Sequence, residues 1–162
     1  MRYYQIVEDM LTYFKNDVAR INHALNVYSF SKIISEKESI TKKKSQVIYI
    51  AAILHDIGIK KAEEKYSSSA GEYQEQEGPP VAREILDQYD FSDNILDRVC
   101  FLIGNHHSYD KIDGIDFQIL VEADFLVNIF DENMSSQQIE SIKDNIFKTE
   151  TGEFLLREMY LT

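Results

Sequence analysis

The segment Ile50-Ala51-Ala52-Ile53-Leu54 runs straight into His55-Asp56. Five consecutive apolar residues ask to be buried, and an imidazole and a carboxylate set at the end of a buried element need a compensating charge or partner. A second segment repeats the problem. Asp124 lies between Ile119-Leu120-Val121 and Phe125-Leu126-Val127, where an unpaired carboxylate would be costly. The chain must therefore fold so that apolar helices carry these groups toward one another or toward a cation.

The rest of the pattern is helical. Apolar residues recur at helix spacing from Tyr4 to Phe14, and again as Val18, Ile21, Leu25, Tyr28, Ile33 and Ile34, with Asn16 or Asp17 available to cap the second helix. A third helix is expected from about 42 through Leu54, stopping at Gly58 in a left-handed cap. Residues 60–78 have little apolar periodicity and read as a lid or binding loop. Pro79-Pro80 open a helix at its first turn, Ser92 caps one that reaches His106, and Gly114 precedes one from about 116 to 131. Ser135 or Ser136 begins a short helix through Ile146, and a last one covers about 153–160. With 6 Gly, 2 Pro and weak strand signals, the expectation is an all-α fold of six to eight helices, one compact domain over 1–162.

Charge and cysteine content narrow the function. Seventeen Lys and Arg against 28 Asp and Glu give −11, a field that repels nucleic acid polymers and anionic membranes. The basic run Lys42-Lys43-Lys44 is a solvated helix start. One cysteine, Cys100, in an apolar run, reads as a buried structural thiol, and with no apolar signal segment a cytoplasmic setting is expected. No stretch approaches the length of a membrane span.

His23, His55-Asp56 and Asp124, on three helices and in that order, resemble the HD-domain superfamily of metal-dependent phosphohydrolases. Ala51-Ala52-Ile53-Leu54-His55-Asp56-Ile57-Gly58 is similar to the family's central signature, and Glu122-Ala123-Asp124-Phe125-Leu126 to its terminal segment. The resemblance covers about 21–129, leaving 130–162 as C-terminal helices outside it. It implies an HD/phosphodiesterase-like fold and one divalent metal held by His23, His55, Asp56 and Asp124. Such a mixed N/O site suits Mn, Fe, Co, Ni or Zn. His106 is placed like a further family histidine that serves a second metal or a substrate phosphate, with the adjacent His107 as competitor.

One departure stands out. Dinuclear subfamilies carry another His before the helix that follows the signature, where this chain has Gln74-Glu75-Gln76-Glu77. Glu75 or Glu77 is left to stand in. The resemblance implies hydrolysis of a phosphate ester or phosphoanhydride, with Asp56, His106 and His107 as catalytic candidates. Lys60, Lys61 and Arg20 are the phosphate-contact candidates. A small phosphorylated substrate, a nucleotide or related compound, suits the acidic surface better than a polymer. The alternatives are a metal- and nucleotide-binding signalling module without turnover, and a di-iron HD-type oxygenase. Oligomeric state stays open.

Overall fold

The computed structural model describes residues 3–161. Among them are nine α-helices and no strand. They are α1 (Tyr3–Phe14), α2 (Val18–Lys37), α3 (Lys42–Leu54), α4 (Ile59–Tyr66), α5 (Gly71–Leu86), α6 (Asp93–Ile103), α7 (Ile115–Asp131), α8 (Ser136–Ile146) and α9 (Glu150–Tyr160), with a 3₁₀ turn at Tyr109–Lys111. None of these helices is long and apolar enough to cross a membrane.

The two segments that dominate the sequence form the centre. Every residue of α3 from Val47 to Leu54 is buried, and so is nearly all of α7. A helix without a polar face has to be covered on all sides. The cover comes from α2, which lies against both, and from α6, which lies against α3. Asp17 caps α2 by accepting the Arg20 N–H at 3.1 Å. Arg98 on α6 reaches Asp116 at 2.8 Å and Asp113 at 2.7 Å, fixing the start of α7.

The expected loop at 60–78 is instead α4 and the first half of α5. α4 buries only Ile59 and Ala62, too few apolar residues to set up a helical period in the sequence. Pro79 and Pro80 sit inside α5 rather than opening it. An interior proline leaves the carbonyl four residues back without its helix partner. Gly104 lies close there, since a Cβ on it would stand 2.9 Å from Pro79 Cγ and 3.3 Å from the Glu75 carbonyl.

Gly58 is not a left-handed cap either. Its φ is −74°, and a Cβ there would come within 2.5 Å of the Gln74 carbonyl and the Gly78 nitrogen. It is needed so that the turn after α3 can touch α5. The left-handed positions belong to Lys15, Ser39, Ser67 and Asn133, just beyond the ends of α1, α2, α4 and α7. α6 likewise ends at Ile103, earlier than expected, so His106 occupies the turn that follows.

At the C-terminus Glu122, fully buried on α7, accepts four hydrogen bonds. Its donors are Gln118 Nε2 at 2.7 Å, the Lys148 and Thr149 backbone N–H groups at 2.6 and 2.9 Å, and the Thr149 hydroxyl at 2.5 Å. The carboxylate thus docks the N-terminus of α9 on the core.

Candidate metal centre

α2 supplies His23, the turn after α3 supplies His55 and Asp56, and α7 supplies Asp124. His23 Nε2 stands 3.2 Å from His55 Nε2 and 3.0 Å from Asp124 Oδ1. His55 Nε2 stands 3.5 Å from both Asp124 Oδ1 and Asp56 Oδ2, and His23 Nε2 is 3.7 Å from Asp56 Oδ2. Donors about 2.1 Å from one ion stand roughly 3.0 Å apart at right angles and roughly 3.4 Å apart at the tetrahedral angle. The observed spacing fits a single divalent ion.

The tautomers agree with that reading. His55 Nδ1 donates to the Ala52 carbonyl at 2.9 Å, His106 Nδ1 to the Ile103 carbonyl at 2.8 Å, and His23 Nδ1 to Asp131 Oδ2 at 3.0 Å. A carbonyl oxygen only accepts, so the Nδ1 of His55 and of His106 carries the proton and Nε2 presents its lone pair inward. This is the arrangement of metal-ligating histidines held from behind. Two inward lone pairs 3.2 Å apart need a cation or a proton between them.

Asp56 connects this group to another. While Oδ2 faces His23 and His55, Oδ1 lies 3.5 Å from His106 Nε2, which is buried without a hydrogen-bond partner among the described residues. Asp56, His106 and His107 form a second set whose ligand atoms lie within 4.8 Å of one another. His107 packs on His106 at 4.0 Å between ring centroids, contacts Gln74 Oε1 through Nε2 at 3.2 Å, and donates its backbone N–H to Glu75 at 3.0 Å.

The electrostatics show how much positive charge the cluster wants. Burial alone would lower the His23 pKa, but Asp124, Asp56 and Asp131 outweigh it and lift it to about 9. Burial likewise opposes ionisation of Asp56 and Asp124, yet the imidazoles hold both carboxyls below the usual carboxylate range. His107 goes the other way. Burial first, then the neighbouring His106, push it down to about 4, so its ring is neutral at pH 7.

The three expected cations do not all face this cluster. Lys60 Nζ reaches the Tyr13 carbonyl at 3.4 Å and lies over the Tyr13 ring, and Lys61 pairs with Glu64 at 3.4 Å. Arg20 is bound to Asp17 and Glu63 at 2.9 and 2.5 Å, although its charge still acts on Asp56. The two acids suggested as stand-ins are engaged elsewhere. Glu75 accepts from His107 and Ser108, while Glu77 accepts from Lys65 and Tyr66 at 2.8 Å each.

Sequence reasoning missed Asp131 and Tyr109. Asp131 falls seven residues past Asp124, two turns on and on the same face, which is the signal that could have found it. Tyr109 packs on Phe125 at 5.2 Å, and burial together with Asp124 pushes its hydroxyl up to about 12.

Comparison with known proteins gives two likenesses. The HD domain family model matches residues 20–144. The chain is also similar to a crystal structure described as a predicted HD superfamily hydrolase from an uncultured Thermotogales bacterium. The TM-score is 0.71 with 22% sequence identity, covering 97% of this chain and 84% of that one. At that identity the likeness shows the fold. No curated protein matches the sequence.

Proposed function

The chain belongs to the HD-domain family, and from that premise we propose that it is a metal-dependent phosphohydrolase acting on a small soluble phosphate ester or phosphoanhydride, with nucleotides the leading class. The observation that carries the proposal is the convergence of His23 and His55 Nε2 with Asp56 and Asp124, each imidazole held from behind at Nδ1. These four residues would hold the ion. The mixed N/O set suits Mn, Fe, Co, Ni or Zn. When bound, such an ion supplies positive charge to a substrate oxygen and lowers the pKa of a water toward neutrality.

The chain's own groups do the rest. Asp56 is the most exposed of the four ligands, with 15% of its side chain accessible, and orients the attacking water with the oxygen not engaged by His23 and His55. His106, where the effect of burial is outweighed by Asp56 so that the pKa is raised, neutralises a phosphate oxygen with the neutral His107 ring packed beside it, and Arg20 adds charge from the Asp56 side. Water oxygen joins phosphorus and gives up one proton, the P–O bond to the leaving group breaks with its electron pair on the leaving oxygen, and that oxygen takes up one proton, so the protons balance. Metal stoichiometry separates two uses of His106 and His107. Two ions per chain put them in a second metal site, and one leaves them to the phosphate.

The same reading treats the chain as one HD-type unit in the cytoplasm, supported by its contiguous core and its lone, partly buried Cys100. The net charge of −11 supports a small substrate over a nucleic acid polymer or a membrane.

The test is metal analysis of protein purified without an affinity-metal step, beside His23→Ala and Asp124→Ala, with phosphate release from a nucleotide panel. Near-stoichiometric metal lost in both variants together with turnover is expected. A wild-type protein that neither retains metal nor takes it up on titration would refute the centre. Stoichiometric metal and nucleotide binding without phosphate release would instead favour a signalling module.

A further inference from the structure

A cavity of about 890 Å³ opens between α2, the C-terminal half of α7 and the end of α9. It shares two residues with the metal centre. The His23 ring forms part of its wall, and Asp131, which holds His23 Nδ1, forms another part. His23 therefore lies at the border of the two, with Nε2 toward the metal ligands and Nδ1 held by Asp131 at the rim of the cavity.

The lining has a consistent chemistry. Phe30, Phe130 and Tyr160 offer aromatic faces, and Phe130 is 76% exposed. Tyr160 is fixed in place by its hydroxyl, which donates to the Leu126 carbonyl at 2.6 Å. A pinned ring is a platform that loses little freedom when something stacks on it. Asn22 and Asn26, one turn apart on α2, supply the polar edge. Their exposed carboxamides make no side-chain hydrogen bond among the described residues, and each offers a donor and an acceptor.

Charge decides what can fill this space. No Lys or Arg lines it among the described residues, and the Asp131 carboxylate repels an anion. A phosphate thus finds no cationic partner in the cavity apart from His23, whose Nε2 faces the other way, toward the metal ligands. The volume lies within the range of about 300–1,000 Å³ that holds one small organic molecule.

Resting on the hydrolase reading, we propose that this cavity binds the uncharged part of the substrate, a flat and mainly apolar ring system with hydrogen-bonding groups on its edge, while the phosphate lies at the metal centre. Phe130 and Tyr160 take the ring faces. Asn22 and Asn26 take the edge and make α2 both a metal-ligand helix and a specificity helix.

The experiment compares 2-(1-naphthyl)ethyl phosphate with ethyl phosphate, both releasing a primary alcohol, on the metal-loaded full chain and on Phe130→Ala. Aromatic stacking of the usual strength predicts a rise of roughly 5- to 150-fold in KM for the naphthyl ester in the variant. KM for ethyl phosphate should stay within about twofold, since that ester does not reach the cavity. Binding of 2-(1-naphthyl)ethanol to the metal-free chain, read by its fluorescence, should weaken in parallel in Phe130→Ala. Hydrolysis of both esters with equal KM changes, or alcohol binding indifferent to Phe130, would overturn the cavity assignment alone. No hydrolysis of either ester by metal-loaded protein would overturn the hydrolase reading and, with it, the assignment of the ring to a substrate.

Discussion

Replacing Glu122 tests whether one buried carboxylate holds the C-terminal helices on the core. In Glu122→Ala the Thr149 N–H and hydroxyl lose their acceptor inside the protein, each worth about 1–3 kcal/mol. Gln118 keeps a second acceptor, the Ile146 carbonyl at 2.7 Å, and the Lys148 N–H lies near solvent, so neither adds much. With the small void left behind, a loss of about 3–5 kcal/mol is expected, a large share of the ~5–15 kcal/mol of a typical domain. Glu122→Gln keeps the shape and the oxygen that takes the two backbone donors, and should lose about 1–2 kcal/mol. Urea unfolding followed by circular dichroism gives the totals, and hydrogen exchange at 150–160 locates the loss. Gly152→Ala supplies a cross-check, because its Cβ would overlap Glu122 Oε2 and stand 2.7 Å from Thr149 Oγ1. The double variant Glu122→Ala/Gly152→Ala should then lose less than the sum of the two. Glu122→Ala within about 1 kcal/mol of wild type, or simple additivity with Gly152→Ala, would refute the docking argument.

Three further outcomes follow from the geometry. Asp131→Asn should weaken metal binding about tenfold, the low end for a residue behind a ligand, because Asp131 is nearly half exposed; unchanged affinity in calorimetry would detach it from the centre. In the metal-free protein His23 holds a proton up to about pH 9, so the proton competes with the ion below that point. Metal affinity should rise with pH between ~7 and 9, by up to about tenfold per unit, with proton release seen as a buffer-dependent binding enthalpy; affinity that falls over this window would contradict the sign. Asn133→Gly relieves a left-handed non-glycine position at the end of α7 and should stabilise by about 0.5–1 kcal/mol in thermal unfolding, whereas a loss would mean that the Asn side chain has a role there.

The candidate ligands at the end of α3 and on α7 stand out in the sequence because they contradict their surroundings, whereas His23 stands out only through its resemblance to the family pattern. A charged or polar residue in an apolar helix stretch, as at His55, Asp56 and Asp124, is rare enough to read from one chain, although α3 ends at Leu54 and leaves His55 and Asp56 in the turn after it rather than in its last turn. Asp131 sends no such signal, being one exposed acid among many on a surface of net charge −11. Proximity to His55 and Asp56 in the sequence suits Lys60 and Lys61 to a phosphate. Once residues 59–66 form a helix, each step turns the side chain by about 100°, which carries Lys60 to Tyr13 and Lys61 to Glu64. The glycines misled in the opposite sense. Gly58 suggested a chain reversal, whereas the need it meets is for space against α5, which no local pattern encodes.

Two of the three inward-facing imidazoles are steered by main chain. The Ala52 and Ile103 carbonyls lie in the last turns of α3 and α6, where helix oxygens lack helical partners, and each is three residues before the histidine it orients. No side-chain replacement can remove those acceptors, so His55 and His106 are insulated from drift at neighbouring positions. His23 alone depends on a side chain, and an accessible one. A lineage could therefore retune this centre through single changes at position 131, one surface codon, while every buried residue around the ligands stayed as it is.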